Sequence, residues 1–361
     1  VYKRQAFHSA EWRRDLDLSG RRVGILGSAA SAIQIAPEVA GRAARLTVFQ
    51  RTPNFSVPAG NGPLDPELER EIKADYQGFR ALNRAWPTGF GARYPAYEDS
   101  ALAASDEVRR QRLEEHWQLG GLLFLRAFAD LGLDRNANEV AAEFIRDKIR
   151  EIVDDPETAE LLCPDTVVGC KRLCADTDYF ATFNRPNVSL VDVSKQPIDE
   201  ITPAGVKTGG VEYELDALVF ATGFDAMTGA LLAVDIRGRE GRTLQDKWSE
   251  GPRTYLGLNV SGFPNLFTIT GPGSPSVLSN MIQSIEQHVE FIADAIAYMD
   301  ANHHRTIEAK VEAEDRWVGL VNAMADQTVY PTCKSWYLGA NVPGKPRVFM
   351  PYLGFPTYVE K

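Results

Sequence analysis

Gly27 stands between an apolar run (Val23, Ile25, Leu26) and helix-like sequence in the stretch "RRVGILGSAASAIQIAPEVA". A glycine in that place turns the chain sharply out of a strand and aims the free amides of a helix N-terminus at one point, a natural anion site. In a dinucleotide turn two more glycines follow, one for close approach of the backbone to the pyrophosphate and one for tight helix packing. Here those places hold Ala29 and Ala32, each one methyl group larger, and Ser28 and Ser31 add hydroxyls beside the amides. An ordinary strand–helix turn reads the same way. The end of the next strand tips the balance, because "ARLTVFQR" closes on Gln50, Arg51 and Thr52. A carboxylate there serves a ribose 2′-hydroxyl, whereas a cation without a carboxylate serves a 2′-phosphate, which favours NADPH. A solvated surface arginine is the plainer reading of Arg51; its strand-end position and the missing acid favour the coenzyme.

These residues need a strand, a turn, a helix and a second strand over residues 20–51, half of a βαβ unit. The helix carries Ile33, Ile35, Ala36, Val39 and Ala40 mostly on one side, and Pro37 is expected to bend it. Prolines and glycines between Pro53 and Pro66 mark a boundary, and residues 66 to about 163 read as charged helices. Ser105 and Asp155 are N-cap candidates, Asp155 with Pro156 and Glu157 behind it. Val140, Phe144, Ile145, Ile149 and Ile152 form a helical stripe suited to core packing. Strand texture returns at 187–193, 200–224 and 265–270, and Ile282, Ile285, Val289, Ile292 and Ile296 lie along one face of a helix over 279–299. A nucleotide unit therefore begins, is interrupted by helices and resumes.

The 361 residues suffice for two or three folding units. A net charge of −10 argues against nucleic-acid and anionic-membrane partners, and no apolar run approaches membrane-spanning length. Cys163, Cys170, Cys174 and Cys333 match no CxxC pair and no histidine lies near the first three, so they read as free thiols of a reducing cytoplasm rather than a metal site or disulfide frame. The chain begins "VYKRQAF" and stops at "PTYVEK" with no recognisable terminal helix, which suggests a fragment.

The strings "LTVFQRTPNFSVPAGN", "CKRL", "DALVFATGFDAMTGAL", "GPRTYLG", "GPGSPSVLSNM" and "SWYLGANVPGKPR" resemble, in order along the chain, a Baeyer–Villiger monooxygenase of the phenylacetone and cyclohexanone group. The family signature FxGxxxHxxxW is met in its second half by His8 and Trp12, with Tyr2 and Arg4 where its Phe and Gly should stand. The resemblance implies an α/β protein: a Rossmann-like NADPH domain (1–57 and 165–224) with a helical insertion (58–164), then the C-terminal part of a second, FAD-binding Rossmann-like domain (225–361). Gly27 to Gln34, hence Ser28, Ala29, Ala30, Ser31 and Ala32, match its second glycine-rich unit; the first, expected before His8, is missing.

The chemistry implied is oxygen insertion beside a ketone carbonyl, using FAD, NADPH and O2 and giving an ester or lactone. Such a reaction needs a permanent cation for anionic oxygen, and Arg172 matches the family's essential arginine. Lys171 matches a residue at the NADPH 2′-phosphate beside Arg51 and Thr52, Met281 one near the flavin ring, and Trp336 one in a loop closing on NADPH. Ser276, Val277 and Leu278 correspond to the loop lining the substrate pocket. By residue type alone, Lys171–Arg172 is a surface pair and Met281 and Trp336 are core or half-buried side chains. Two rivals stand beside this reading: a related flavin monooxygenase oxidising nitrogen or sulfur, and a non-catalytic NADPH-binding remnant. The 361-residue chain is expected to be inactive by itself.

Overall fold

The computed structural model describes residues 5–340, 342–345 and 354–361. Tyr2 and Arg4, and Asn341, Pro346 and Arg347 of the "SWYLGANVPGKPR" string, lie outside the described residues. The chain divides into two units, Val1–Asn61 with Ala96–Phe224 and Gly62–Pro95 with Asp225–Lys361. The stretch 58–164 is thus shared between them.

The first unit is α/β. Its central sheet holds β1 (Gln5–His8), β2 (Arg22–Leu26), β3 (Arg45–Gln50), β6 (Val188–Asp192) and β10 (Ala217–Phe220), in the order β1–β10–β2–β3–β6 with every pair parallel. Val23, Ile25, Leu46 and Val48 are fully buried, as expected where both faces of a parallel sheet are covered and the strands read as apolar runs. Helix α1 (Ala30–Ala40) runs unbroken through Pro37 and buries Ala32, Ile33, Ala36, Val39 and Ala40. Arg22 fastens the start of β2 to the start of β10: its main-chain N–H and its guanidinium both donate to Asp216, at 2.9 Å and at 3.2 and 2.9 Å.

A parallel pair, β4 (Ser56–Pro58) with β5 (Cys174–Asp176), and an antiparallel meander, β7 (Ile198–Ile201), β8 (Gly205–Thr208) and β9 (Val211–Glu214), complete the strands of this unit. Helices α2 (Pro66–Ala74) and α3 (Tyr76–Arg84) belong to the second unit. The first keeps α4 (Asp106–Leu119), α5 (Arg135–Ile152), α6 (Pro156–Leu162) and α7 (Tyr179–Thr182). Ser105 and Asp155 cap α4 and α6 as their types predict, accepting from Val108 N at 3.4 Å and Thr158 N at 2.9 Å. Cys163 and Cys174 carry free thiols, but Cys170 is disulfide-bonded and corrects that part of the reading.

Besides α2 and α3, the second unit contains α8 (Gly229–Leu232), α9 (Leu244–Lys247), α10 (Met281–Ala301), α11 (Val311–Ala325) and α12 (Phe355–Val359). α12 overturns the expectation of a C-terminus without a helix. Small cores gather around Leu244, Trp248, Val260 and Phe263, and around Trp317, Val321 and Tyr358. Arg84 pairs with Glu290 at 3.1 Å and Arg80 with Glu286, fastening α3 to α10. Cys333 is disulfide-bonded, again unlike the free thiol expected. Residues 265–270, expected as a strand, form none. Asn265 and Thr270 adopt left-handed conformations (φ 61° and 52°) that no strand tolerates, and Asn259 Nδ2 donates to Leu266 O where a ladder would run. No helix among the described residues is long and apolar enough to cross a membrane.

Candidate active site

Of the three glycine places in the β2–α1 turn, Gly27 alone needs glycine. Its φ is +117°, and a Cβ there would sit 2.4 Å from the carbonyl oxygen of Ala221, just past the end of the neighbouring strand β10. Ala29, by contrast, has an ordinary extended backbone (φ −103°), so a methyl group costs nothing in conformation. Ala29 is the N-cap of α1 and offers no side-chain hydrogen bond, whereas α4, α5 and α6 are each capped by a side chain. The first amides of α1 are thereby left to a ligand, and an anion is what they suit. Ser28 is buried and donates to Thr52 O at 2.8 Å, which ties the turn to the end of β3.

Arg51 and Lys171 lie close enough at that same strand end for one charge to act on the other. Burial, then the neighbouring Arg51 guanidinium, push the Lys171 amine below its ordinary value, and Asp165 opposes this weakly. Two like charges held together against desolvation form a site that a phosphate dianion relieves. Arg172, the next residue, lines an open cleft of about 990 Å³ together with Ala30, Gln34, Glu38, Arg42 and Asp176. Gln34 spans part of the helix end, its Nε2 donating to Ala30 O at 3.1 Å. The turn, Lys171 and Arg172 are thus gathered on one unit, at the carboxyl ends of β2 and β3, where open parallel sheets bind ligands.

His8 closes the other side of the sheet. Its Nδ1 accepts from Ala10 N at 3.2 Å, so the ring proton sits on Nε2, which donates to Gly223 O at 3.0 Å. The imidazole also meets Phe224 edge-on at 5.2 Å, and Phe7 meets Trp12 at 5.3 Å. The "HSAEW" segment therefore locks the ends of β1 and β10 together.

In the second unit, Ser276, Val277 and Leu278 form one turn of 3-10 helix just before α10, and Ser276 is buried with φ 47°. Its hydroxyl approaches Met281 Sδ at 3.9 Å, so three predicted pocket residues and the predicted flavin neighbour are contiguous. Trp336 lies apart from them in sequence, in a short turn with its ring 4.4 Å from that of Tyr337.

No family model matches the chain. Among curated relatives, a Baeyer–Villiger monooxygenase of Pseudooceanicola batsensis is 41% identical over 98% of this chain and 64% of its own length. A phenazine N-monooxygenase, PhzNO1 of Lysobacter antibioticus, is 39% identical over 98% and 65%. Among solved structures, an oxidised steroid monooxygenase bound to NADP superposes with a TM-score of 0.93 at 46% identity, over 99% of this chain and 68% of that one. The chain belongs to the Baeyer–Villiger monooxygenase family. OTEMO, solved in complex with FAD and NADP, matches it with a TM-score of 0.93 at 36% identity, over 99% and 68%. The chain spans slightly less than two thirds of the length of the curated relatives it matches, 64% and 65%.

Within this Baeyer–Villiger framework, two residues at the cleft escaped sequence reasoning. Asn54 is buried beneath Arg172, its Nδ2 donating to Arg172 O at 3.4 Å and to Cys174 Sγ at 3.1 Å. Asp176 lines the cleft and accepts from Tyr179 N at 2.9 Å, and burial holds its carboxyl above the usual range. Asparagine after "RTP" reads as a loop residue; only the β4–β5 pairing, joining segments 118 apart, brings it under the arginine.

Proposed function

We propose that this chain is the coenzyme-binding and substrate-loop part of an FAD- and NADPH-dependent Baeyer–Villiger monooxygenase. Its reaction inserts one atom of O2 beside the carbonyl of a small ketone to give an ester or lactone. The observation that carries the reading is the nearness of two cations, Lys171 and Arg51, at the end of β3, beside a start of α1 that no side chain caps. That arrangement fits the 2′-phosphate and the pyrophosphate of NADPH, and a relative of known structure holds NADP. These residues offer FAD no second glycine turn; what they offer is the Arg172 cation. FAD, when bound, supplies activated oxygen, and the residues of this chain supply the rest. Arg172 supplies a guanidinium with fixed donors that stabilises the oxyanion developing on the ketone's carbonyl oxygen. Asn54 holds the main chain beneath it, Ser276, Val277 and Leu278 line the ketone pocket beside Met281, and Trp336 closes over the coenzyme. The net charge of −10 speaks against nucleic-acid and anionic-membrane partners, and a cytoplasmic location is part of the proposal.

Titration of the chain with NADPH and with NADH tests the reading. Replacing Arg51 or Lys171 with alanine is expected to weaken NADPH by about 1.5–3 kcal/mol and to leave NADH unchanged. An unaltered preference for NADPH refutes the assignment. The 39% identity to a phenazine N-monooxygenase favours a second reading, oxidation of a ring nitrogen. Product analysis with cyclohexanone and with phenazine, using this chain joined to the FAD-binding segment of a relative and supplied with FAD and NADPH, separates the two. Tight NADPH binding with no product from either substrate favours a non-catalytic remnant.

A further inference from the structure

His288 lies on α10 and is fully buried. Thr270 N donates to its Nδ1 at 2.9 Å. A main-chain amide can only donate, so Nδ1 carries no proton and the ring hydrogen sits on Nε2. That hydrogen faces Tyr358 Oη at 2.9 Å, and Tyr358 Oη in turn donates to Leu256 O at 2.6 Å. The direction of the whole relay is thereby determined, from the Thr270 amide through imidazole and phenol to the Leu256 carbonyl. Both ends are left-handed residues that are not glycine, Leu256 at φ 60° and Thr270 at φ 52°. Such conformations persist only where the surroundings hold them.

The segment that starts at Thr270 is the loop carrying Ser276, Val277 and Leu278. Its first half is gripped twice more: Thr254 Oγ1 donates to Pro272 O at 2.6 Å and Trp317 Nε1 to Gly273 O at 3.0 Å. The Trp317 ring also packs 6.0 Å from the Tyr358 ring. At the far end of the loop, Asn280 caps α10 by accepting from Ile282 N at 3.1 Å, and Ser279 and Ser284 share a hydroxyl contact at 2.8 Å. Both ends of the loop are therefore anchored on one helix, the near end through His288 and the far end through the first turn of α10. Burial pushes the imidazole down to about 4, so it stays neutral and keeps its accepting Nδ1 near neutral pH.

We propose that His288 and Tyr358 are positioning residues for the loop Gly271–Ser279, a clamp that sets where Ser276, Val277 and Leu278 sit. What the loop contacts rests on the reading above, a ketone; the clamp itself does not. Native-state hydrogen exchange of the 361-residue chain tests it on peptides covering 270–280. Tyr358→Phe removes one oxygen and is expected to speed exchange there roughly tenfold while α5 peptides are unchanged. His288→Phe is expected to do the same or more. His288→Asn, which can keep an amide oxygen for Thr270, is expected to restore part of the protection. Nitrogen NMR should show His288 as the Nε2-protonated tautomer with a slowly exchanging proton. Unchanged loop protection in Tyr358→Phe, or a proton found on Nδ1, overturns the clamp. If the His288 variants do not fold, Tyr358→Phe and the tautomer decide. Coenzyme preference tests the functional reading and loop exchange tests the clamp, so either can fail alone.

Discussion

In α5 the stripe residues Ile145 and Ile149 are fully buried, together with Ala141 and Ala142 of the same face. In α10 the stripe residues Ile282, Val289 and Ile296 are 64%, 47% and 50% exposed, and the helix instead buries Gln283, Ser284 and His288. The two helices share the same apolar periodicity and bury opposite kinds of face. α5 packs into a core that includes Leu113, Trp117 and Phe124, so its stripe leaves water, with about 1.5–3 kcal/mol for each large side chain. α10 is held by hydrogen bonds and by the Arg84–Glu290 pair, and Ile282, Val289 and Ile296 form an exposed apolar ridge beside the half-buried Ile285 and Ile292. Periodicity thus specifies a helix and an apolar face. Which face is covered depends on what the rest of the molecule brings to it.

The contrast can be broken at both ends. Its largest expected effect is in α5, where Ile149→Ala should cost about 2–5 kcal/mol in urea unfolding, because a fully enclosed site cannot collapse around the cavity. A loss below about 1 kcal/mol would show that α5 packs no better than α10.

Next comes the pH dependence that a buried histidine confers on α10. Folded His288 sits at about 4, against about 6.5 when unfolded. Between those values the unfolded chain binds the extra proton, so stability present above pH 6.5 is lost as the pH falls toward 4. The loss between pH 7 and pH 5 should be about 2 kcal/mol, and His288→Gln should remove it from the difference curve. Parallel wild-type and variant curves would show that the imidazole is not shielded from water.

A third test concerns the ridge. Ile282→Glu with Ile296→Lys should reduce binding of a hydrophobic dye and raise the concentration at which light scattering appears, with little change in unfolding midpoint. Unchanged dye binding would place the apolar surface elsewhere. The smallest effect is expected for Ile296→Ala, within about 0.5 kcal/mol of wild type, and it is the internal control for Ile149→Ala.

What could be read without the fold was local. Gly27 declared its turn, Ser105 and Asp155 their helix starts, and Arg51 its strand end, because each signal lies within a few residues of the element it governs. Even Ala29 and Ala32 are accounted for locally, since only Gly27 needs a backbone that other residues avoid. The resemblance of short strings carried the family and named Lys171 and Arg172.

The sequence by itself determined the strand–turn–helix unit around Gly27, the caps Ser105 and Asp155 and the cationic end of β3, since these depend on backbone conformation, spacing and side-chain charge. The tertiary structure decided the rest. It set β1 at the sheet edge beside β10, put Asn54 under Arg172, assigned 62–95 to the second unit and denied 265–270 a strand partner. It also exposed the ridge of α10 and joined Thr270, His288, Tyr358 and Leu256. Those outcomes rest on which distant surfaces meet, and apolar burial has no direction of its own: a stripe states that a face can be covered, and only the assembled chain supplies the cover.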